Sequence, residues 1–517
     1  REGVAPSDID RPRRIIELRY VGQDATVELE PPPDATLAEV FERRYVELFG
    51  YRPSSRAIEV VSLRAVARSR RREPLPIGGE GGEAPAAGSI GHQRCFLDGA
   101  WHEAPCLEAS GITPGATIRG PALILQAHSA LVVPARWQAE KLRSGDLRVR
   151  FEAADSASPG LTFRRTRPRA VELELMSHRF ASIAREMGEL LRRAAISTNI
   201  KERQDFSCTL LDPAGRLVVN APHIPVHLGA MGLCVRELAA RLAPRPGDVV
   251  VTNHPACGGS HLPDVTLAAP VHVEGRLLGY VACRAHHAEI GGIRPGSVPP
   301  DARSLAEEGV VIPPTLLVEV GTPRWERIEE LLTRGPHPTR MLADNLADLR
   351  AMLAAVNRGR DALVRLARAV GFDHVVEHMD ALRQHAAEQA RQALRRLPTG
   401  VHQAVQHLDD GTRLVAALTV DGERAVLDFG GSGNVHPGNL NATPAIVNSV
   451  VMYVMRLLVD ADLPLNEGLL EPLELRIPEG LLNPRFVDDP ALCPAVVGGN
   501  VETSQRLVDT LLLALGL

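Results

Sequence analysis

VVVTNHPACGGSHLPDVTLAAPVHVEGRLLGYVACRAHH, residues 249–287, is the stretch on which the fold turns. Three apolar runs stand in it, Val249–Val251, Val265–Val273 and Leu278–Cys283. Each is short and rich in Val, which predicts strands rather than helices. Polar loops of Gly, Pro and His separate them. The same character, dense in Gly, Pro and His and poor in helical periodicity, holds across residues 205–310. On the N-terminal side, Leu173–Ala194 reads as a strongly amphipathic helix, with Leu175, Phe180, Ile183, Met187, Leu190 and Leu191 among its apolar positions. On the C-terminal side, residues 327–397 turn helical and charged. Arg413–Phe429 predicts two strands around the Asp421-Gly422 turn, and Ala445–Val459 an apolar helix.

Residues 1–150 have a different texture. Arg14–Tyr20, Ala25–Leu29 and Arg56–Val66 read as strands and Asp34–Phe49 as a helix, with apolar positions Leu37, Val40, Phe41, Tyr45 and Leu48. The Gly/Pro/Ala-rich Pro74–Ser89 predicts an exposed loop, and Cys95–Phe151 a small β unit. Residues 151–169 have the makeup of a linker. The expectation is an α+β (mixed α/β) protein: a small β-rich domain over 1–150, the linker, and a large domain over 170–517.

Composition narrows the function. The chain has 517 residues, 44% hydrophobic and 23% charged, with a formal net charge of −5. That excludes disordered and fibrous classes and gives no basic excess for nucleic acid or an anionic membrane. Arg70–Arg72 and Arg164–Arg169 read as solvated charge. Val450–Val459 is interrupted by Arg456 and too short to cross a bilayer. Seven dispersed cysteines with no CxxC pair predict a reducing, cytoplasmic setting. The chain starts at Arg1 and stops inside an apolar periodic run, Leu507–Leu517, so a fragment of a longer protein is expected.

Chemistry concentrates in the histidine-rich window. Seven of the 18 histidines fall between His223 and His287. His261 and Asp264 form an H-x-x-D pair, and His286-His287 follows at a separate strand end. A divalent ion needs two to four lone-pair donors converging from different segments, commonly imidazoles and a carboxylate. His261, Asp264 and one of His286 and His287 meet that need if the loops converge; Glu202 and Asp205, just before a strand, can add an oxygen. The pairs Gly258-Gly259, Gly291-Gly292 and Gly498-Gly499 flank these groups, where backbone can approach a ligand closely. Cys257 and Cys283 lie near the same loops and read as small buried residues rather than nucleophiles. Neither a phosphate-binding G-x-x-x-x-G-K-[ST] nor a G-x-S-x-G elbow is present.

Glu202-Arg-Gln-Asp-Phe-Ser-Cys, Ile224-Pro-Val-His-Leu-Gly, Gly258-Gly-Ser-His-Leu-Pro-Asp264, His286-His-Ala-Glu-Ile-Gly-Gly, Gly438-Asn-Leu-Asn-Ala and Val497-Gly-Gly-Asn-Val-Glu-Thr-Ser-Gln resemble the hydantoinase B/oxoprolinase family. They cover most of 171–517 in the family's order. Residues 1–150, including Gly120-Pro-Ala-Leu-Ile-Leu, look like the C-terminal part of the hydantoinase A family. This A-before-B order, and the wording around His254, resemble the oxoprolinase branch. The resemblance implies a cyclic-amide hydrolase: 5-oxo-L-proline, ATP and water give L-glutamate, ADP and phosphate. It implies that ATP and Mg are handled by an A half N-terminal to this chain, so no ATP-binding residue is expected here and the chain alone is expected to be inactive. It further implies a divalent metal (Mn, Zn, Fe or Mg) on positions resembling Glu202, His261, Asp264 and His287, with His286 an acid/base candidate and Asp205 its orienting group. Arg294, Asn439, Asn441, Asn500 and Gln505 are candidate substrate contacts. A small-molecule substrate and a homo-oligomer are the expected partners. The alternatives are an N-methylhydantoinase or acetone carboxylase-type subunit, and a non-catalytic segment.

Overall fold

The structure is a computed structural model that describes residues 9–10, 12–32, 35–53, 56–68, 89–97, 100–151, 168–221, 224–227, 229–459 and 464–517. The expected linker, save for its ends, and nearly all of the expected 74–89 loop lie outside them. The fold is α+β.

Two compact units are present, Arg1–Arg14 with Ala65–Arg164, and Ile15–Arg64 with Arg165–Leu517. By packing, Ile15–Arg64 goes with the large unit. The strands Arg13–Tyr20, Val27–Leu29 and Ile58–Val66 form a three-stranded sheet beside the helix Leu37–Phe49. Their apolar faces cannot be covered locally. Leu18, Tyr20, Phe41 and Tyr45 share one buried core with Met176, Phe180 and Met187 of the helix Arg169–Ala194. Gln23 ties the two regions together, donating to Tyr45 Oη at 2.7 Å and to the Ala194 carbonyl at 2.9 Å.

A seven-stranded antiparallel sheet is the centre of the large unit. Its spatial order is Leu217–Asn220, Phe206–Leu211, Arg276–His286, Asp264–Val273, Val249–Thr252, Thr315–Glu319 and Thr322–Pro323. Both faces are covered, so the strands read as nearly continuous apolar runs instead of alternating ones. Val265, Leu267, Val281 and Cys283 face the core that includes the helices Arg169–Ala194 and Leu342–Val370. Val250, Ala268, Tyr280 and Ala282 pack under Met231, Cys234, Val235 and Leu238 of the helix Ala230–Leu242. Where the first two helices cross, a Cβ at Gly359 would lie 2.2 Å from Met187 Sδ, so a side chain there would force Met187 to move.

A second sheet, Gly400–His407, Arg413–Asp421, Arg424–Asp428 and Leu473–Arg476, packs with the helices Pro444–Leu458 and Ser504–Ala514 in a core of its own. The small unit holds two sheets around Leu107, Ile112, Ile118, Ile124 and Val133. Among the described residues, no helix is long and apolar enough to cross a membrane.

Candidate active site

Asp264 is the first residue of its strand, and its register partner is His286, the last residue of the neighbouring strand. Antiparallel pairing thus brings the two to the same end of the sheet from positions 22 apart in sequence. Asp205 directly precedes the next strand over, Phe206–Leu211, and its carbonyl accepts the His286 N–H at 2.9 Å. His261 arrives on the 258–263 loop. That loop is clamped: Arg284 Nη2 donates to the Gly258 carbonyl (2.7 Å), Thr443 Oγ1 to that of Gly259 (3.0 Å), and Asn253 Nδ2 to that of Leu262 (2.8 Å). Gly258 has φ +79°, and a Cβ there would sit 2.6 Å from the Cys234 nitrogen, so only glycine lets the loop pass so close.

The group at the centre is His261, Asp264 and His286, with one ligand atom from each lying within 4.8 Å of the others. Asp264 is fully buried. Its Oδ2 faces His227 Nε2 at 3.2 Å and His261 Nδ1 at 3.2 Å, and accepts from Ser260 Oγ. Its Oδ1 lies 3.3 Å from His286 Nδ1 and has no hydrogen-bond partner among the described residues. His286 Nδ1 is also 3.7 Å from Asp205 Oδ2.

Electrostatics follow from burial and these neighbours. Burial pushes the Asp264 carboxyl up, but the charges of and hydrogen bonds from His261 and His227 outweigh it and hold the group well below the usual carboxylate range. His261 is drawn down by burial, against the pull of Asp264. Burial acts the same way on His286, yet Asp264 and Asp205 reverse it and raise that imidazole.

These groups form one wall of a cavity of about 660 Å³. The opposite wall is helical. Ser449, Val450 and Tyr453 come from Pro444–Leu458; Ser504, Gln505, Val508 and Asp509 come from Ser504–Ala514, spaced to share one helix face. Asn500 lines the cavity just before the second helix, and its Oδ1 is buried without a partner. An unsatisfied buried acceptor costs about 1–3 kcal/mol, which a ligand donor would relieve.

The expected residues part company here. His261, Asp264, His286, Asp205, Asn500 and Gln505 converge on the cavity. His287 does not: it follows the last residue of the strand Arg276–His286, is absent from the cavity lining, and its Nδ1 meets Asn345 Nδ2 at 3.2 Å. Its Nε2 is buried without a partner, and burial, followed by the charge of His286, lowers it to about 3. Glu202 is exposed, with Oε1 3.9 Å from Lys201 Nζ, and is outside the three-residue group. Arg294 pairs with Asp301 at 2.8 Å on the surface. Asn439 donates to the Pro299 carbonyl. Asn441 is buried and saturated, bridging His436, Gly438 and Ala495 backbone groups. Both are loop staples. His227 carries a contact that spacing alone did not single out, although it stands in the Ile224-Pro-Val-His-Leu-Gly motif. Cys257 and Cys283 are buried thiols; burial raises Cys257 to about 11 and Cys283 higher, which suits packing and not nucleophilic attack.

The donor set fits a divalent ion: two imidazoles and a carboxylate oxygen left without a hydrogen bond, all at one cavity wall. The fold and the site together define a small-molecule site with a metal-competent acid–histidine group. The family description "Hydantoinase B/oxoprolinase" matches residues 169–517, and "Hydantoinase/oxoprolinase C-terminal domain" matches 13–141. This chain belongs to the hydantoinase B/oxoprolinase family. Among curated relatives, 5-oxoprolinase 1 of Arabidopsis thaliana is 36% identical over 96% of this chain and 41% of its own length. The 5-oxoprolinase of Saccharomyces cerevisiae is 35% identical over 96% and 40%. The chain thus spans about two fifths of the length of the first curated relatives it matches. Of solved structures, an ATP-dependent caprolactamase from Pseudomonas jessenii superposes with TM-score 0.61 at 25% identity, covering 67% of this chain and 60% of that one. A nucleotide-free acetone carboxylase shares the fold alone, with TM-score 0.57 at 19% identity over 64% and 46%.

Proposed function

We propose that this chain carries the ring-opening site of an ATP-dependent cyclic-amide hydrolase whose substrate is 5-oxo-L-proline, and that nucleotide is handled by residues other than those lining this cavity. The observation that carries the reading is the His261–Asp264–His286 group at the wall of a 660 Å³ cavity. The names of the relatives and the likeness to a caprolactamase support the substrate class.

A lactam is a stable amide, so its opening needs an activated carbonyl and a water delivered with a proton acceptor nearby. A divalent ion held by His261, Asp264 Oδ1 and His286 would supply Lewis acidity toward an oxygen. Asp205 sits where it can orient His286, its Oδ2 lying 3.7 Å from the ring's Nδ1. Asn500 Oδ1 is an acceptor of the kind a ring N–H satisfies, and Gln505 stands on the same side. Val226, Val450 and Val508 offer apolar surface to ring methylenes.

The test is formation of ADP and of the ring-opened product (glutamate in the case of 5-oxoproline) by the full-length protein with 5-oxoproline, a hydantoin and caprolactam as rival substrates. Turnover of 5-oxoproline that falls by about a hundredfold or more in His286→Ala is expected. Preference for either rival would replace the substrate, and no turnover of any would sink the enzymatic reading.

A further inference from the structure

Asp264 offers its two oxygens to different worlds. Oδ2 is crowded by His227, Ser260 and His261, whereas Oδ1, with His286 Nδ1 3.3 Å away, is buried with no hydrogen bond among the described residues. A carboxylate has about four lone-pair sites in all, so the crowding on one oxygen reserves the other. What holds Oδ2 is itself held. His227 is buried on the 3₁₀ turn Pro225–His227, and behind it lies Ser207, with Oγ 3.1 Å from His227 Nδ1.

Ser207 is fully buried in the strand Phe206–Leu211 and does not line the cavity. It cannot meet substrate. Among the described residues its hydroxyl faces the histidine in front of it, 3.1 Å away. An ionised carboxylate accepts and never donates, so the His227 nitrogen facing Oδ2 carries the proton. In the neutral ring Nδ1 is then the bare nitrogen, to which Ser207 Oγ–H can donate across 3.1 Å.

We propose that Ser207 and His227 are positioning residues: Ser207 fixes His227 as the Nε2–H tautomer, His227 pins Asp264 Oδ2, and Oδ1 is thereby the single oxygen this carboxylate presents to a divalent cation. The assignment of Oδ1 rests on the reading that the site takes such an ion; the Ser207–His227 pair does not. Partners of this kind behind a metal ligand change cation affinity by about 10–100-fold when removed.

The experiment has two arms on the full chain. Ring-¹⁵N histidine spectra of metal-stripped protein, with His227 assigned by its loss in His227→Gln, read the tautomer. A bare Nδ1 and a protonated Nε2 are expected, with the preference weakened in Ser207→Ala and restored in Ser207→Thr. Mn²⁺ titration calorimetry reads the second arm: binding about tenfold weaker in Ser207→Ala and weaker still in His227→Gln, with Ser207→Thr near wild type. A proton on Nδ1 in the wild type overturns the pair. Predicted tautomers with no Mn²⁺ uptake by the wild type overturn the cation reading and the role given to Oδ1. Unchanged spectra and affinity in a folded Ser207→Ala overturn the proposal entirely.

Discussion

His286 and His287 are neighbours in the chain and end up in opposite chemistries. Both are largely shielded from water, and burial alone drives an imidazole toward neutrality. Around His287 the charge of Asp264 opposes it too weakly: the ring meets the Asn345 amide, the charge of His286 adds to burial, and it falls to about 3. Around His286 two carboxylates reverse the trend. One position in the chain separates a histidine at the cavity wall from one packed against Asn345. Electrostatic partners, not burial, make the difference.

The largest effect is expected from removing the carboxylate that separates them. Asp264→Asn takes away the main attraction on His286, so its titration midpoint should drop toward the behaviour of His287, and turnover should fall by about a hundredfold or more. A His286 midpoint unmoved in NMR titration would break the comparison.

Acid stability sharpens it from the other side. His287 is neutral in the fold down to about 3 but protonates near 6.5 when unfolded. The unfolded chain therefore binds more protons across that window, and stability falls as pH falls, by up to about 1.4 kcal/mol per unit. His286 has the opposite sign: its contribution is full below the ordinary value and is lost as pH rises through its raised midpoint. In urea melts across pH, His287→Gln should flatten the acid-side slope. A slope left intact would assign it to other groups.

Smaller still is the loop that delivers His261. Thr443 caps the helix Pro444–Leu458, its Oγ1 accepting from Ile446 N at 3.4 Å while donating to Gly259. Thr443→Ala should cost about 1 kcal/mol in denaturant midpoints and weaken cation binding less than any change at the three-residue group. A loss several times that size would mean the loop depends on Thr443 more than on Arg284 and Asn253. Arg294→Ala should leave melting temperature and turnover unchanged, since its partner is an exposed carboxylate away from the cavity. A raised KM there would restore it as a substrate contact.

Burial and register explain what the sequence disclosed. The strands of the central sheet were legible because both of their faces are buried, which leaves plain apolar runs such as Val265–Val273. The helix Ala230–Leu242 was not: Gly229, Gly232 and Cys234 lie in a Gly-, Pro- and His-rich region and masked its period. Packing of 15–64 into the large unit depends on faces such as Phe41 and Tyr45 meeting Phe180, a long-range pairing that periodicity cannot announce. In the site, H-x-x-D was readable because loop and strand start are adjacent in sequence. Choosing between His286 and His287 needed the register, which pairs Asp264 with His286. Motif membership also did not separate a cavity residue from a staple: Asn500 lines the cavity with an unsatisfied oxygen, while Asn441 is saturated by backbone.

The most direct test counts Mn²⁺ bound per chain in wild type, His286→Ala and His287→Gln, measured side by side on folded protein. About one ion in the wild type and in His287→Gln, with none in His286→Ala, is the result predicted here. An ion kept by His286→Ala and lost by His287→Gln would contradict the assignment and move the centre to His287.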